Sequence, residues 1–269
     1  MKKEWKIFWT AVQFLTRIRV PAGISHDPEY LQEAPRYFPL IGWIVGGLCA
    51  LSFLVFSRYI SVDAGILSAM ITGLFVTGAF HEDGFADVCD GMGGGWTREK
   101  ILQIMKDSRI GAYGAIGLMA IFAGKFVLLK ELARFSPSLE HPTASPFYNY
   151  RYIVLGLLVA HSISRLMPVL VMQVAEYVSD ADHSKSKGVT SRRLPIGGLM
   201  VAVLFALAPY AFLPWPFWLT ILPALYAAFG LNRYFRRWIG GYTGDCLGAI
   251  QQVTELVIYL GFIIVWRYF

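Results

Sequence analysis

Apolar stretches recur along the chain between clusters of charge. Residues 37–57 are uncharged between Arg36 and Arg58, and residues 64–80 between Asp63 and His81. Residues 112–129 hold one charge, Lys125, and residues 152–175 hold His161 and Arg165. Residues 194–232 run uncharged for 39 positions, longer than one crossing of a bilayer, which takes about 20 apolar residues. Pro209, Pro214 and Pro216 stand at the middle of that run. The pattern there predicts a hairpin of two spans, 196–213 and 215–232. A last span, 247–266, carries Glu255. Trp5, Phe8, Val12 and Leu15 recur at helical spacing before the first span and predict an amphipathic helix lying in the membrane interface. The expectation is not a signal peptide, because Trp5, Trp9 and Arg17 interrupt any apolar core and no small-residue cleavage site follows. The expectation is one domain, residues 1–269: an all-α, polytopic transmembrane helical bundle of about seven spans.

Composition agrees. Hydrophobic residues make up 56% of the chain and charged residues 16%, against about 25% charged in soluble domains. Mean hydropathy is +0.51. Lysine and arginine set the orientation, since cytoplasmic flanks are enriched in them. With the N-terminus inside, the inner segments hold seventeen basic residues and the outer ones five. That places the acidic and glycine-rich motifs on the cytoplasmic side of an inner membrane. It also explains the net charge of +6 without a nucleic-acid partner. Cys49, Cys89 and Cys246 show no metal-ligand spacing and are read as ordinary thiols. Residues 180–192 form the most loop-like stretch.

The segment "HEDGFADVCDGMGGG", residues 81–95, does not fit a greasy chain. On a helix, Asp83, Asp87 and Asp90 fall within about 60° of one another. Like charges so placed repel. A hard divalent cation removes the conflict, and carboxylate oxygens suit Mg²⁺ or Mn²⁺. Gly84 and Gly91 each follow an acid and leave room for a bulky phosphate ester near the backbone. The segment is neither a P-loop nor a dinucleotide fingerprint, since no GxxxxGK[ST] and no strand–turn–helix context exists. Glu82 lies about 100° off the acidic face and ranks below the aspartates. His81 is a metal ligand, a base or a surface hydrogen-bonding residue. The other reading of the whole segment is a solvated acidic loop.

Thr97 is placed to cap a short helix running to about Lys106, with Ile101, Leu102, Ile104 and Met105 on its apolar side. That helix leads to "KDSRIGAYG", residues 106–114. Lys106 and Arg109 can hold phosphate oxygens, or simply anchor the cytoplasmic side. Asp107 can join the metal set. In "GGYTGDCLGAIQQVTE", residues 240–255, Asp245 is a metal ligand, a general base or a helix cap, and Thr243 is a candidate substrate contact. Glu255 and Arg165 are intramembrane charges, which commonly mark function. Arg165 is a substrate-binding candidate whose alternative is snorkelling to the surface. Lys125 is a weaker one. Lys185, Lys187, Arg192 and Arg193 gate an anion or form a solvated loop.

"FHEDGFADVCDG", then "REKILQIMKDSRIGAYGAIGL", then "GGYTGDCLGA" resemble the cobalamin synthases, the adenosylcobinamide-GDP ribazoletransferases. "FLTRIRVP" and "FPLIGWIVGG" fit the same family, and the likeness runs along nearly the whole chain. It implies an integral membrane enzyme that joins adenosylcobinamide-GDP to alpha-ribazole or its 5′-phosphate, releases GMP, and requires Mg²⁺. It implies functional roles for Asp83, Asp87, Asp90, Asp107 and Asp245. Membrane lipid and a second copy of the chain are the other expected partners. Two alternatives carry less. A CDP-alcohol phosphatidyltransferase needs DGxxAR followed by GxxxDxxxD, which is missing. A transporter would gather its charges at the bilayer midplane of paired halves.

Overall fold

The computed structural model describes residues 2–24, 27–135, 150–178 and 193–269. Among them the fold is α-helical, with one isolated β-bridge, Tyr177 to Tyr242. The helices are α1 (Lys2–Leu15), α2 (Pro28–Glu33), α3 (Phe38–Tyr59), α4 (Val62–Thr77), α5 (Phe80–Gly94), α6 (Arg98–Met105), α7 (Ala112–Arg134), α8 (Arg151–Val174), α9 (Ile196–Leu207), α10 (Ile221–Ile239) and α11 (Gly244–Tyr268). Short 3₁₀ turns precede α3, follow α9 and precede α10.

Helix α8 is the central post, buried almost throughout from Tyr152 to Met172. Helix α3 packs along α4 and α8, and α11 packs along α5, α7, α8 and α10. Trp43 on α3 donates its indole N–H to the Phe205 carbonyl at 2.8 Å and to Ser162 at 3.2 Å, tying α3, α8 and α9 together. Helix α1 is amphipathic, but Val12 and Leu15 of its apolar face are buried in the protein's own core, while Trp5 is 56% exposed.

Four helical segments are long and apolar enough to cross a bilayer: Pro28–Tyr59, Ala112–Arg134, Arg151–Val174 and Gly244–Tyr268. Helices α4 and α5 qualify only together, and they are bent by 89°. The expected seven spans thus become four, or five with the bent pair, among the described residues. The prolines explain part of the difference. Regular helix α9 ends before Pro209 after 12 residues, and the chain continues in 3₁₀ turns. Helix α10 ends with Arg236 and Arg237 in its last turn. The loop bases Lys185, Lys187 and Arg192 lie outside the described residues.

The sharp turn between α4 and α5 sets up the site. Gly78 (φ +66°) and Ala79 (φ +56°) are both left-handed, and Ala79 is the one non-glycine residue with positive φ among those described. Such a residue costs roughly 1–3 kcal/mol and persists only where its surroundings enforce it. Here a Cβ at Gly78 would stand 2.3 Å from Arg17 Nε, and the Arg17 N–H donates to the Val76 carbonyl at 2.7 Å. The turn swings α5 back across the bundle onto α7 and α11.

Candidate active site

The acidic segment is helical from Phe80 to Gly94, so the single-face argument holds, and it is not a solvated loop. Glu82, Gly84, Ala86, Val88, Asp90 and Gly91 are buried; Asp83 is exposed and Asp87 half-buried. The seam between α5 and α11 is built on glycine. A Cβ at Gly84 would lie 2.9 Å from the Asp245 Cα, and one at Gly248 would lie 3.1 Å from the His81 carbonyl oxygen. This close approach brings Asp245 to the acidic face, and the carboxylates that act on Asp87 are those of Asp245, Asp83 and Asp90.

Asp245 is held from its own side. The segment after α8 pairs with the strand-like turn before α11: Val178 N–H donates to the Tyr242 carbonyl at 2.8 Å, and Tyr242 N–H to the Glu176 carbonyl at 3.0 Å. The cap of α11 is Thr243, whose hydroxyl accepts the Cys246 N–H at 3.3 Å. That fills the role considered for Asp245 and leaves its carboxylate free for chemistry. Thr243 Oγ also lies 3.4 Å from Asp245 Oδ2.

Asp90 faces α7. Its two oxygens accept the N–H groups of Gly111 at 2.7 Å and Gly114 at 2.8 Å. Gly111 has no side chain with which to cap α7, so the carboxylate of α5 does it, against the positive end of the helix dipole. Asp107 is likewise engaged: Arg109 grips it through Nε at 3.0 Å and Nη2 at 2.7 Å, and the Arg109 backbone N–H adds a third bond. These bonds hold the exposed Asp107 carboxyl down at about 2. Among the described residues, no three His, Cys, Asp or Glu side chains already converge as a metal-ligand group. Thr97 caps α6 through the Lys100 N–H, as its position predicts, and Ile101, Leu102 and Met105 are buried. Lys106 and Arg109 stand exposed in the turn that follows.

The intramembrane charges form a separate, buried centre. Lys125 on α7 pairs with Glu255 of α11 at 3.1 Å and with Glu82 of α5 at 3.8 Å. Gln252 donates to Glu82 at 3.0 Å, and Gln251 to Glu255 at 2.9 Å. Tyr259 donates its hydroxyl to Glu255 at 3.2 Å. Arg165 is 2% exposed and donates to His161 Nδ1 and to the His161 carbonyl, so it does not snorkel. His81, also considered as a surface group, is buried. A cavity of about 30 Å³ lies among these side chains. Glu82 Oε2, Gln252 Oε1 and Arg165 Nε line it without a protein partner, and it has room for a water or two. Sequence reasoning ranked Glu82 and Lys125 low and missed Gln251 and Gln252. The available signal was Lys125, the single charge of its span.

The cobalamin-5-phosphate synthase family model matches residues 7–263. The chain belongs to this family. A ribazoletransferase of Shewanella woodyi, named as acting on adenosylcobinamide-GDP, is 42% identical over 267 residues, covering 97% of this chain and 96% of that one. Proteins of the same name from Vibrio cholerae and Leptospira interrogans are 38% and 37% identical, covering 97% and 99% of this chain and 94% and 98% of their own. No solved structure matches. Membership in the cobalamin-5-phosphate synthase family decides against the phosphatidyltransferase and transporter readings. The three cysteines are free thiols.

Proposed function

We propose that this protein joins adenosylcobinamide-GDP to alpha-ribazole or its 5′-phosphate, giving adenosylcobalamin or its 5′-phosphate and GMP. Beside the family match, the observation that carries the reading is the glycine seam that sets Asp245 against Asp83 and Asp87. A ribose hydroxyl oxygen attacks the phosphorus on the cobinamide side of the diphosphate. The new P–O bond forms as the bond to the GMP phosphate breaks.

The chain's own groups divide the work. Asp245, half-buried and free of the capping role, takes the proton from the attacking hydroxyl. Lys106 and Arg109, exposed beyond α6, bind the phosphate oxygens; Arg109 exchanges Asp107 for phosphate, which matches the same fork. Asp83 and Asp87 would hold a divalent cation beside Asp245; carboxylate donors suit Mg²⁺. Bound there, Mg²⁺ would offset the charge of the diphosphate and of the departing GMP. Asp90 belonged to the same expected metal set, but its carboxylate is committed to α7; Asp107, released when Arg109 turns to phosphate, stays in that set. The clustering of basic side chains around the same segments supports an inner-membrane protein with this site on the cytoplasmic face. The test is GMP release by the purified protein in detergent, given both substrates.

A further inference from the structure

Glu82 and Asp83 are neighbours in sequence that face opposite ways. Asp83 is exposed on the acidic face, whereas Glu82 is 8% exposed and turned into the bundle. There Glu82 Oε1 receives Gln252 of α11 at 3.0 Å and faces Lys125 of α7 at 3.8 Å. The apolar part of the α5–α11 seam is glycine against backbone, with no interlocking side chain at Gly84 or Gly248 to fix its register. The polar tie is the element that can fix it. The cavity beside the tie, about 30 Å³, is far too small for a substrate group, since ligand pockets run to roughly 300 Å³ or more. The charges of Glu82, Glu255, Lys125 and Arg165 balance, so the centre needs no further ion.

We propose that Lys125, Glu82 and Gln252 form a positioning lock, which holds α5 in register against α11 and so sets Asp83 and Asp87 opposite Asp245. The inference rests on the reading of those aspartates as the reacting site. Glu82, Lys125 and Gln252 are positioning residues, acting through the helix and not on the substrate.

Two readouts test the lock. One is kcat and KM for GMP release. The other is the rate at which N-ethylmaleimide modifies Cys246, read by peptide mass; Cys246 follows Asp245 in the first turn of α11 and is fully buried, so loosening of that turn exposes it. Lys125→Met leaves two buried carboxylates against one arginine. It should lower kcat about 100-fold with little change in KM, and speed Cys246 modification about 10-fold. Adding Glu82→Gln restores the charge balance and should recover about 10-fold in kcat while slowing the modification. Gln252→Leu keeps the balance and removes two hydrogen bonds, to Glu82 and to the Gln251 side chain, so it covers the case in which Lys125→Met does not fold. It should give a smaller loss of kcat, again with KM nearly constant. The proposal is overturned if the double variant is no better than Lys125→Met, or if Gln252→Leu leaves both kcat and Cys246 modification as in the parent protein. Modification needs no substrate, so a protein that released no GMP would remove the proposed function while the lock was still judged by Cys246.

Discussion

Gly84 of α5 and Asp245 of α11 meet so closely that a Cβ on the glycine would stand 2.9 Å from the aspartate Cα. The contact is backbone, and backbone cannot turn aside as a side chain can. Gly84→Ala must therefore push α5 away from α11. In an unconstrained helix the same change would stabilise by about 1 kcal/mol. The expected outcome is a fall in kcat of about 10- to 100-fold, since small misplacements of reacting groups are costly. Melting temperature and kcat measured together check this. A fully active Gly84→Ala would mean that the seam does not set the site.

Asp87 is surrounded by the carboxylates of Asp83, Asp90 and Asp245. Asp87→Asn removes one like charge, so folding should be unharmed or slightly favoured. Turnover should fall by about 1000-fold or more, because the lost carboxylate would hold the cation that offsets the phosphate charge. Activity and monodisperse elution of the detergent-solubilised variant are the measurements. Retained turnover would take Asp87 out of the mechanism.

Asp90 predicts the opposite balance. Its two bonds to the Gly111 and Gly114 N–H groups are charge-assisted, and such bonds are worth about 1.5–3 kcal/mol each. Asp90→Ala should destabilise the protein by about 3 kcal/mol, and a thermal melt would show it. Gly114→Ala should do the same from the other side, since its Cβ would meet Asp90 Oδ2 at 2.3 Å. A stable Asp90→Ala that merely lost activity would move Asp90 to the reacting groups.

Much of this was legible in the chain. The spacing of Asp83, Asp87 and Asp90 predicts one helical face, and α5 runs from Phe80 to Gly94. Thr97 was readable as a cap because capping is local. Two features were not readable, because each depends on distant residues. Asp90 caps α7 through the N–H of Gly111, 21 positions later. Lys125 and Glu82 meet only because α5 folds back, and that fold depends on Ala79 adopting a conformation its residue type disfavours. The break at the prolines of residues 194–232 was legible, but the length of the helices on either side was not: α9 stops after 12 residues, and α10 carries Arg236 and Arg237 in its last turn.

Arg109 and Asp107 give a prediction in pH. The Asp107 carboxyl is held below its ordinary value, at about 2, by Arg109. A lowered carboxyl pKa means the pair is intact above the ordinary carboxylate range and is lost only as pH falls toward 2. Between about pH 5 and 9 it contributes no titration. Arg109→Lys should raise KM for the nucleotide substrate by about 10-fold through loss of the bidentate fork. It should leave the shape of the pH–rate profile unchanged over that range. A shifted profile would show that the pair couples to a titrating group.

The central claim is that the seam of α5 and α11 carries out transfer from a nucleotide diphosphate with loss of GMP. The most direct measurement is GMP release by the purified protein, supplied with adenosylcobinamide-GDP and alpha-ribazole 5′-phosphate, with Mg²⁺ and with the metal chelated. The account predicts GMP, and an equal amount of a cobalamin product, only when both substrates and the metal are present. GMP formed without the ribazole substrate, or none from folded protein with all three supplied, would contradict it.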